Sequence, residues 1–221
     1  GGGPLRLVQF GHVGPNRRLE QVFEAIARVK GRVAVEIDVF GKLWDEAHLA
    51  RAAAKLGIAE HVRFRGFAPE VELDAALARA HCVTNLRQPS MGEASGSQLR
   101  IWRAAALSAV TDLGWYATLP EDCAVKLPAE DEAGALAKLL MRIDGDRGLC
   151  ARIGAAGRAR LETVHDLGPY ADGILRIAAA EEDAARRLVA ELASPLHSGL
   201  TGEAATLAAT ALLSAFGAPE K

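Results

Sequence analysis

The stretch LGIAEHVRFRGFAPEVELDAALARAHCVTNL, residues 56–86, carries a strand, a helix and a second strand in close succession. Gly57 stops a preceding helical pattern (45–57) that Asp45 is placed to cap. HVRFRG (61–66) is a short β-rich run closed by glycine. PEVELDAALARA (69–80) is helical and opens on a proline, which the first turn of a helix tolerates. HCVTNL (81–86) is again a short strand. Strand–helix–strand at this spacing is the unit of a parallel sheet.

The same alternation extends in both directions. LRLVQF (5–10) and RVAVEIDVFG (32–41) are strands, and between them Leu19, Val22, Phe23, Ile26 and Val29 fall at helical spacing within residues 16–30. SAVTD (108–112) and CAVKLP (123–128) supply a fifth and a sixth strand. From about residue 131 the pattern is helical. EEDAARRLVAEL (181–192) extends the last helix, and EAATLAATALLSAF (203–216) forms a further one after the SPLHSGLTG break. Right-handed crossovers put helices on both faces of the sheet. The expectation is an α/β, doubly wound parallel sheet over residues 5–178, a helical extension over 179–221, and a glycine-rich linker at 1–4. Such sheets bind ligands beyond the carboxyl ends of their strands. That directs attention to loops 11–16, 41–45, 66–69, 87–95 and 112–117.

Composition removes several classes. The chain has 221 residues, half of them apolar, enough for a real core. Its 28 acidic and 26 basic residues leave it near neutrality, which argues against a nucleic-acid partner. No apolar run approaches the roughly 18 residues of a membrane span. Cys82, Cys123 and Cys150 are odd in number and widely spaced, and read as buried thiols of a reducing compartment such as the cytoplasm. The six histidines form no metal-ligand spacing, so no metal is expected.

Two loops carry the candidate chemistry. In GHVGPNRR (11–18), Gly11 and Gly14 allow the backbone to approach a ligand just before a helix. Free amides and the helix dipole favour an anion there. Arg17 and Arg18 stand in the first turn, where the dipole disfavours cations. A bound phosphate resolves that conflict, and so does plain solvation of both arginines. In PSMGEASGSQLRIW (89–102), Ser95 is placed to cap a helix starting near Gly96. The amides of Ser95, Gly96 and Ser97 would face an anion, and Glu93 beside them would accept hydrogen bonds from hydroxyls. A phosphorylated sugar uses both; a carboxylate that merely serves the helix dipole is the plainer alternative. The GxxG spacing and the positions of Glu36 and Asp38 do not fit a nicotinamide-dinucleotide loop.

These residues resemble a family. VQFGHVGPNRRLEQVFEAI (8–26), the quoted 56–86 run, GEASG (92–96) and TDLGW (111–115) are similar to the C-terminal, donor-binding half of GT-B retaining glycosyltransferases of family four (group 1). The resemblance covers roughly residues 5–178 and implies a Rossmann-like half of a GT-B fold. It implies a nucleotide-diphosphate sugar as donor substrate, no cofactor and no metal. Arg17 takes the place of the family's basic diphosphate contact, and His12 stands where an arginine is usual. Glu93 would bind sugar hydroxyls, with Arg17 and Glu93 carrying the transfer. Gly66, Phe67 and Ala68 would approach the base. An N-terminal half would bring the carbohydrate or lipid-linked acceptor, and any membrane-surface association with it. Polysaccharide biosynthesis is the implied setting.

The chain departs from the family's pattern at two further places besides His12. Ile101 stands where a second acid normally holds the ribose, with Gln98 and Arg100 as the nearby substitutes. AALSAVTD (105–112) lacks the usual glycine and proline. A non-catalytic nucleotide-sugar-binding module and a nucleotide-sugar epimerase of the same architecture are therefore alternatives.

Overall fold

The structure is a computed structural model and describes residues 2–199, with side chains through 187 apart from Glu182. Six parallel strands form one sheet in the order β3-β2-β1-β4-β5-β6. They are β1 (Leu5–Phe10), β2 (Val35–Phe40), β3 (Val62–Gly66), β4 (Cys82–Asn85), β5 (Ser108–Thr111) and β6 (Val125–Leu127). The expected doubly wound parallel sheet is present. The order reverses between β1 and β4, which opens a crevice at their carboxyl ends.

β1 is the central strand and is buried on both faces, as parallel sheets require. Leu5 and Leu7 join the core formed with α1 (Leu19–Val29), α2 (Glu46–Lys55) and α5 (Glu132–Gly145). Val8 and Phe10, at the opposite parity, pack toward α3 (Glu70–Arg79) and α4 (Gly96–Arg103). α6 (Gly148–Val164) lies against α4, where Gly154 and Gly157 leave no room for a side chain beside Ala105 and Trp102. Asp45 caps α2 by accepting from the His48 amide at 2.8 Å, and Gly57 takes the left-handed conformation that ends it.

The first helix begins later than its pattern predicts. Pro15–Arg17 form a separate 3-10 turn, and Arg18 adopts φ 56°, a left-handed conformation that costs a non-glycine residue about 1–2 kcal/mol. A long-range partner of its side chain, Glu132, is described below. The chain divides into two compact units after Val164. In the second, α7 runs unbroken from Leu167 to Gly199, so the expected boundary at 178/179 falls inside one helix. The helix expected at 203–216 lies outside the described residues. Among the described residues no helix is long and apolar enough to cross a membrane. All three cysteines are free, and burial pushes the Cys82 thiol up from its ordinary value.

Candidate functional site at the carboxyl edge of the sheet

The loops after β1, β2 and β3 are laced together by backbone bonds. Gly11 N–H donates to Phe40 O at 3.0 Å, Gly41 N–H to Gly66 O at 2.6 Å and Val13 N–H to Lys42 O at 2.9 Å. Gly41 has φ 107°, and a Cβ there would collide with the Gly11 carbonyl. Gly41→Ala is therefore expected to cost about 1–3 kcal/mol through forced separation of the two loops. Chemical denaturation checks it, and an unchanged midpoint would show that the two loops yield freely.

Beside this lacing lies an open cavity of about 430 Å³. It brings together Gly11, His12, Phe67, Ala68 and Ser97, five of the residues expected to meet the donor, with Arg100, expected near the ribose, and adds Lys42 and Glu70. Phe67 is 95% exposed, an apolar ring left at the rim. Gly14, Gly66, Ser95 and Gly96 do not line the cavity. Ser95 is buried and its hydroxyl is occupied as the α4 cap, accepting from the Gln98 amide at 3.2 Å.

Arg17 and Glu93 belong to a second cluster that adjoins the first through Phe10. Arg17 is only 4% exposed, and its Nη2 donates to Phe10 O at 3.2 Å. Gln9 Nε2 holds the Arg17 carbonyl at 3.0 Å. Burial first, then the neighbouring Arg87, lowers the Arg17 pKa from its ordinary value. Glu93 Oε1 pairs with Arg87 Nη1 at 2.5 Å, and Oε2 accepts from the Met91 amide at 2.9 Å. Its own backbone amide, Arg87 and the Met91 amide together hold its carboxyl below the ordinary carboxylate value. Arg87 is not among the candidates that the sequence offers, although it stands two residues after β4, in the 87–95 loop. The available signal was its position at a strand's carboxyl end, six residues before the glutamate.

Arg17 and Arg18 part company. Arg18 Nε meets Glu132 Oε2 at 2.7 Å, and Glu132 is buried in the first turn of α5. The unfavourable cation at the start of α1 is thus met by a carboxylate of the protein itself. Thr111 Oγ1 donates to Glu132 Oε1 and accepts from the Arg87 amide at 2.9 Å. A continuous polar chain therefore links Arg18 to the backbone of Arg87.

Gln98 and Arg100, the two residues expected near the ribose, both have partners within the chain. Gln98 is buried, and its side chain is engaged by Asn85 at 3.0 Å and Ser108 at 2.7 Å. Arg100 lines the cavity and pairs with Asp74 at 2.9 Å and with Glu70 at 2.5 Å. Ile101 is fully buried in the core. Among the described residues no group of three His, Cys, Asp or Glu side chains is arranged to hold a metal ion.

No protein-family model matches the chain. No curated protein sequence matches it either. Solved structures do. The chain superposes on the Anabaena Alr3699/HepE complex with UDP at a TM-score of 0.71 and 13% identity, covering 80% of this chain and 49% of that one. It superposes on the C-terminal domain of the group 1 glycosyl transferase LpcC from Francisella tularensis at 0.63 and 14%, covering 74% and 87%. Sucrose-phosphate synthase from Thermosynechococcus elongatus matches at 0.68 and 17%, covering 81% and 46%. The chain spans about half the length of the HepE and sucrose-phosphate synthase chains and nearly all of the isolated LpcC domain. It has the fold of the C-terminal half of GT-B glycosyltransferases.

Proposed function

We propose that this chain is the donor-binding half of a glycosyltransferase and binds a nucleotide-diphosphate sugar. The observation that carries the reading is the pairing of a cationic cluster, Arg17 with Arg87, and a carboxylate, Glu93, at the switch point between β1 and β4. Anionic phosphates and neutral hydroxyls are the two ligand groups such a pairing serves. The adjacent cavity supplies an apolar rim at Phe67 for a base and polar groups at His12, Lys42 and Ser97. The presence of UDP in the HepE structure makes a uridine nucleotide the first candidate.

In this reading the departing diphosphate gathers negative charge, and the arginines stabilise it without a metal. A preorganised donor of this kind contributes about 2.7–4 kcal/mol to the barrier. Glu93 orients the sugar through its hydroxyls, and transfer proceeds with retention. A facing domain, which the half-length match to HepE leaves room for, binds the carbohydrate or lipid-linked acceptor and makes any contact with a membrane surface. The setting is cytoplasmic polysaccharide biosynthesis.

Calorimetric titration with UDP, GDP and ADP, and then their sugar forms, tests the reading. Saturable binding of one diphosphate is expected. A folded chain that binds none of them, with the facing domain restored, would sink it. Arg17→Ala is expected to reduce the affinity for that diphosphate by about tenfold or more, the value of a charge-assisted contact. Unchanged affinity would remove Arg17 from the site.

A second reading, a binding module without catalysis, is favoured by Ile101, which lies in the core where an acid is expected at the ribose. Transfer to an acceptor by the joined halves separates the two. Turnover of the nucleotide sugar with no acceptor present would instead indicate an epimerase.

A further inference from the structure

Arg87 stands at the carboxyl edge with its buried Nε unpaired, although its Nη1 meets Glu93. Four buried polar atoms of its neighbourhood lack hydrogen-bond partners: Arg17 Nε, Arg87 Nε, Tyr116 OH and Gln88 Oε1. Three of the four are donors, and buried donors left unmade are costly. Arg17 is within electrostatic reach of Arg87, Tyr116 and Glu93, so these groups share one place. Two guanidiniums against the single Glu93 carboxylate leave one positive charge uncompensated there. Arg17 is 4% exposed, whereas the Arg87 side chain is 22% exposed, so an entering ligand meets Arg87 first. The only charged partner of Arg87 among the described side chains is Glu93, whose own side chain is 38% exposed and is held otherwise only by the Met91 amide.

We infer that Arg87 binds the diphosphate of the donor, and that Glu93 is its internal stand-in, occupying Arg87 in the empty site and released to the sugar hydroxyls when the anion enters. The inference rests on the nucleotide-sugar reading for the identity of the ligand, but the anion site can be tested without it. A diphosphate carries more charge and more acceptor oxygens than one carboxylate, so it satisfies both guanidiniums and the tyrosine hydroxyl together. The Arg87 backbone does not have to move for the exchange, because its amide is fixed on Thr111 Oγ1. Swapping partners at Arg87 couples the two halves of the donor: phosphate binding frees the group that reads the sugar.

The alternative is that Arg87–Glu93 is a latch that only shapes the loop. The two ideas make opposite demands on a pair of variants. A latch is broken equally from either side, so Arg87→Ala and Glu93→Gln would act alike. A stand-in is a competitor, so the two variants act in opposite directions. The experiment is calorimetric titration of the full chain with inorganic pyrophosphate and, separately, with UDP, GDP and ADP, each variant being checked for folding by circular dichroism. Arg87→Ala is expected to weaken pyrophosphate binding about tenfold or more. Arg87→Lys, which keeps the charge but loses the planar fork, falls between it and the parent. Glu93→Gln is expected to bind pyrophosphate several-fold more tightly, a gain that misfolding cannot produce.

Weakening by both variants, or no change in either, would overturn the inference. Binding of a nucleoside diphosphate that Arg87→Ala leaves intact would overturn it while leaving the donor-domain reading in place. Pyrophosphate binding through Arg87 with no nucleoside diphosphate bound would do the reverse, keeping the anion site and removing the nucleotide. A folded parent chain that binds neither pyrophosphate nor any nucleoside diphosphate overturns the inference as well.

Discussion

Trp102→Ala is expected to lower the unfolding free energy by about 3–5 kcal/mol, the range for removing a large aromatic from a core. Trp102 is fully buried on α4, and its indole N–H donates to Cys123 O at 2.9 Å. One ring edge lies directly over Gly157 of α6, so closely that a Cβ there would collide with it. Trp115 packs obliquely at 6.4 Å between ring centroids. Alanine would leave a void bounded by two helices and the loop before β6, with little slack for collapse. The effect reaches the site, because α4 opens at Ser95, two residues after Glu93. Denaturant unfolding measures the loss. Trp102→Phe, which keeps most of the ring and loses the N–H, should cost less than half as much. Equal midpoints for the parent and Trp102→Ala would mean that the α4–α6 seam does not hold the fold.

Glu132→Ala is expected to cost about 3 kcal/mol, at the lower end for breaking a buried ion pair. The lower end applies because the Arg18 side chain is 31% exposed and water can solvate it once its partner is gone. Three things are lost together. Arg18 loses the carboxylate that offsets its place at the N-terminus of α1 and its left-handed backbone. Thr111 Oγ1 loses its acceptor. The first turn of α5 loses its acid. Glu132→Gln retains an acceptor for Thr111 and fills the same space, so it should recover part of the loss. Stability of both variants by thermal or urea unfolding checks this. If Glu132→Gln and Glu132→Ala were equally damaging, the charge alone would matter and the link through Thr111 to Arg87 would carry nothing.

The strands and helices of the first unit were legible because each depends on neighbours within a few residues. Alternating short apolar runs and 3.6-residue periodicity mark strand and helix without reference to the rest of the chain. Asp45, Gly57 and Ser95 mark helix ends by bonds made three or four residues away. The doubly wound parallel sheet follows from short crossovers of one hand, whereas the order β3-β2-β1-β4-β5-β6 is set by the packing of the whole sheet. Where the reading slipped, a distant residue intervened. The start of α1 moved past Arg18 because Glu132, 114 residues further on, holds that arginine.

The site divides in the same way. Which loops would converge was readable, since a doubly wound sheet places its strand ends on one edge. What each charge does there was not. Arg17 and Arg18 are adjacent and alike in the chain, yet one is buried beside Arg87 and the other bound to α5. Ile101 could be seen to replace an acid, but only packing shows it wholly in the core. A charge takes its role from the partners that the folded sheet brings within a few ångströms, and electrostatic energy falls with that distance. Local pattern therefore sets the elements, while the order of the strands and the pairing of Arg87 with Glu93 and of Arg18 with Glu132 exist only once those elements have packed.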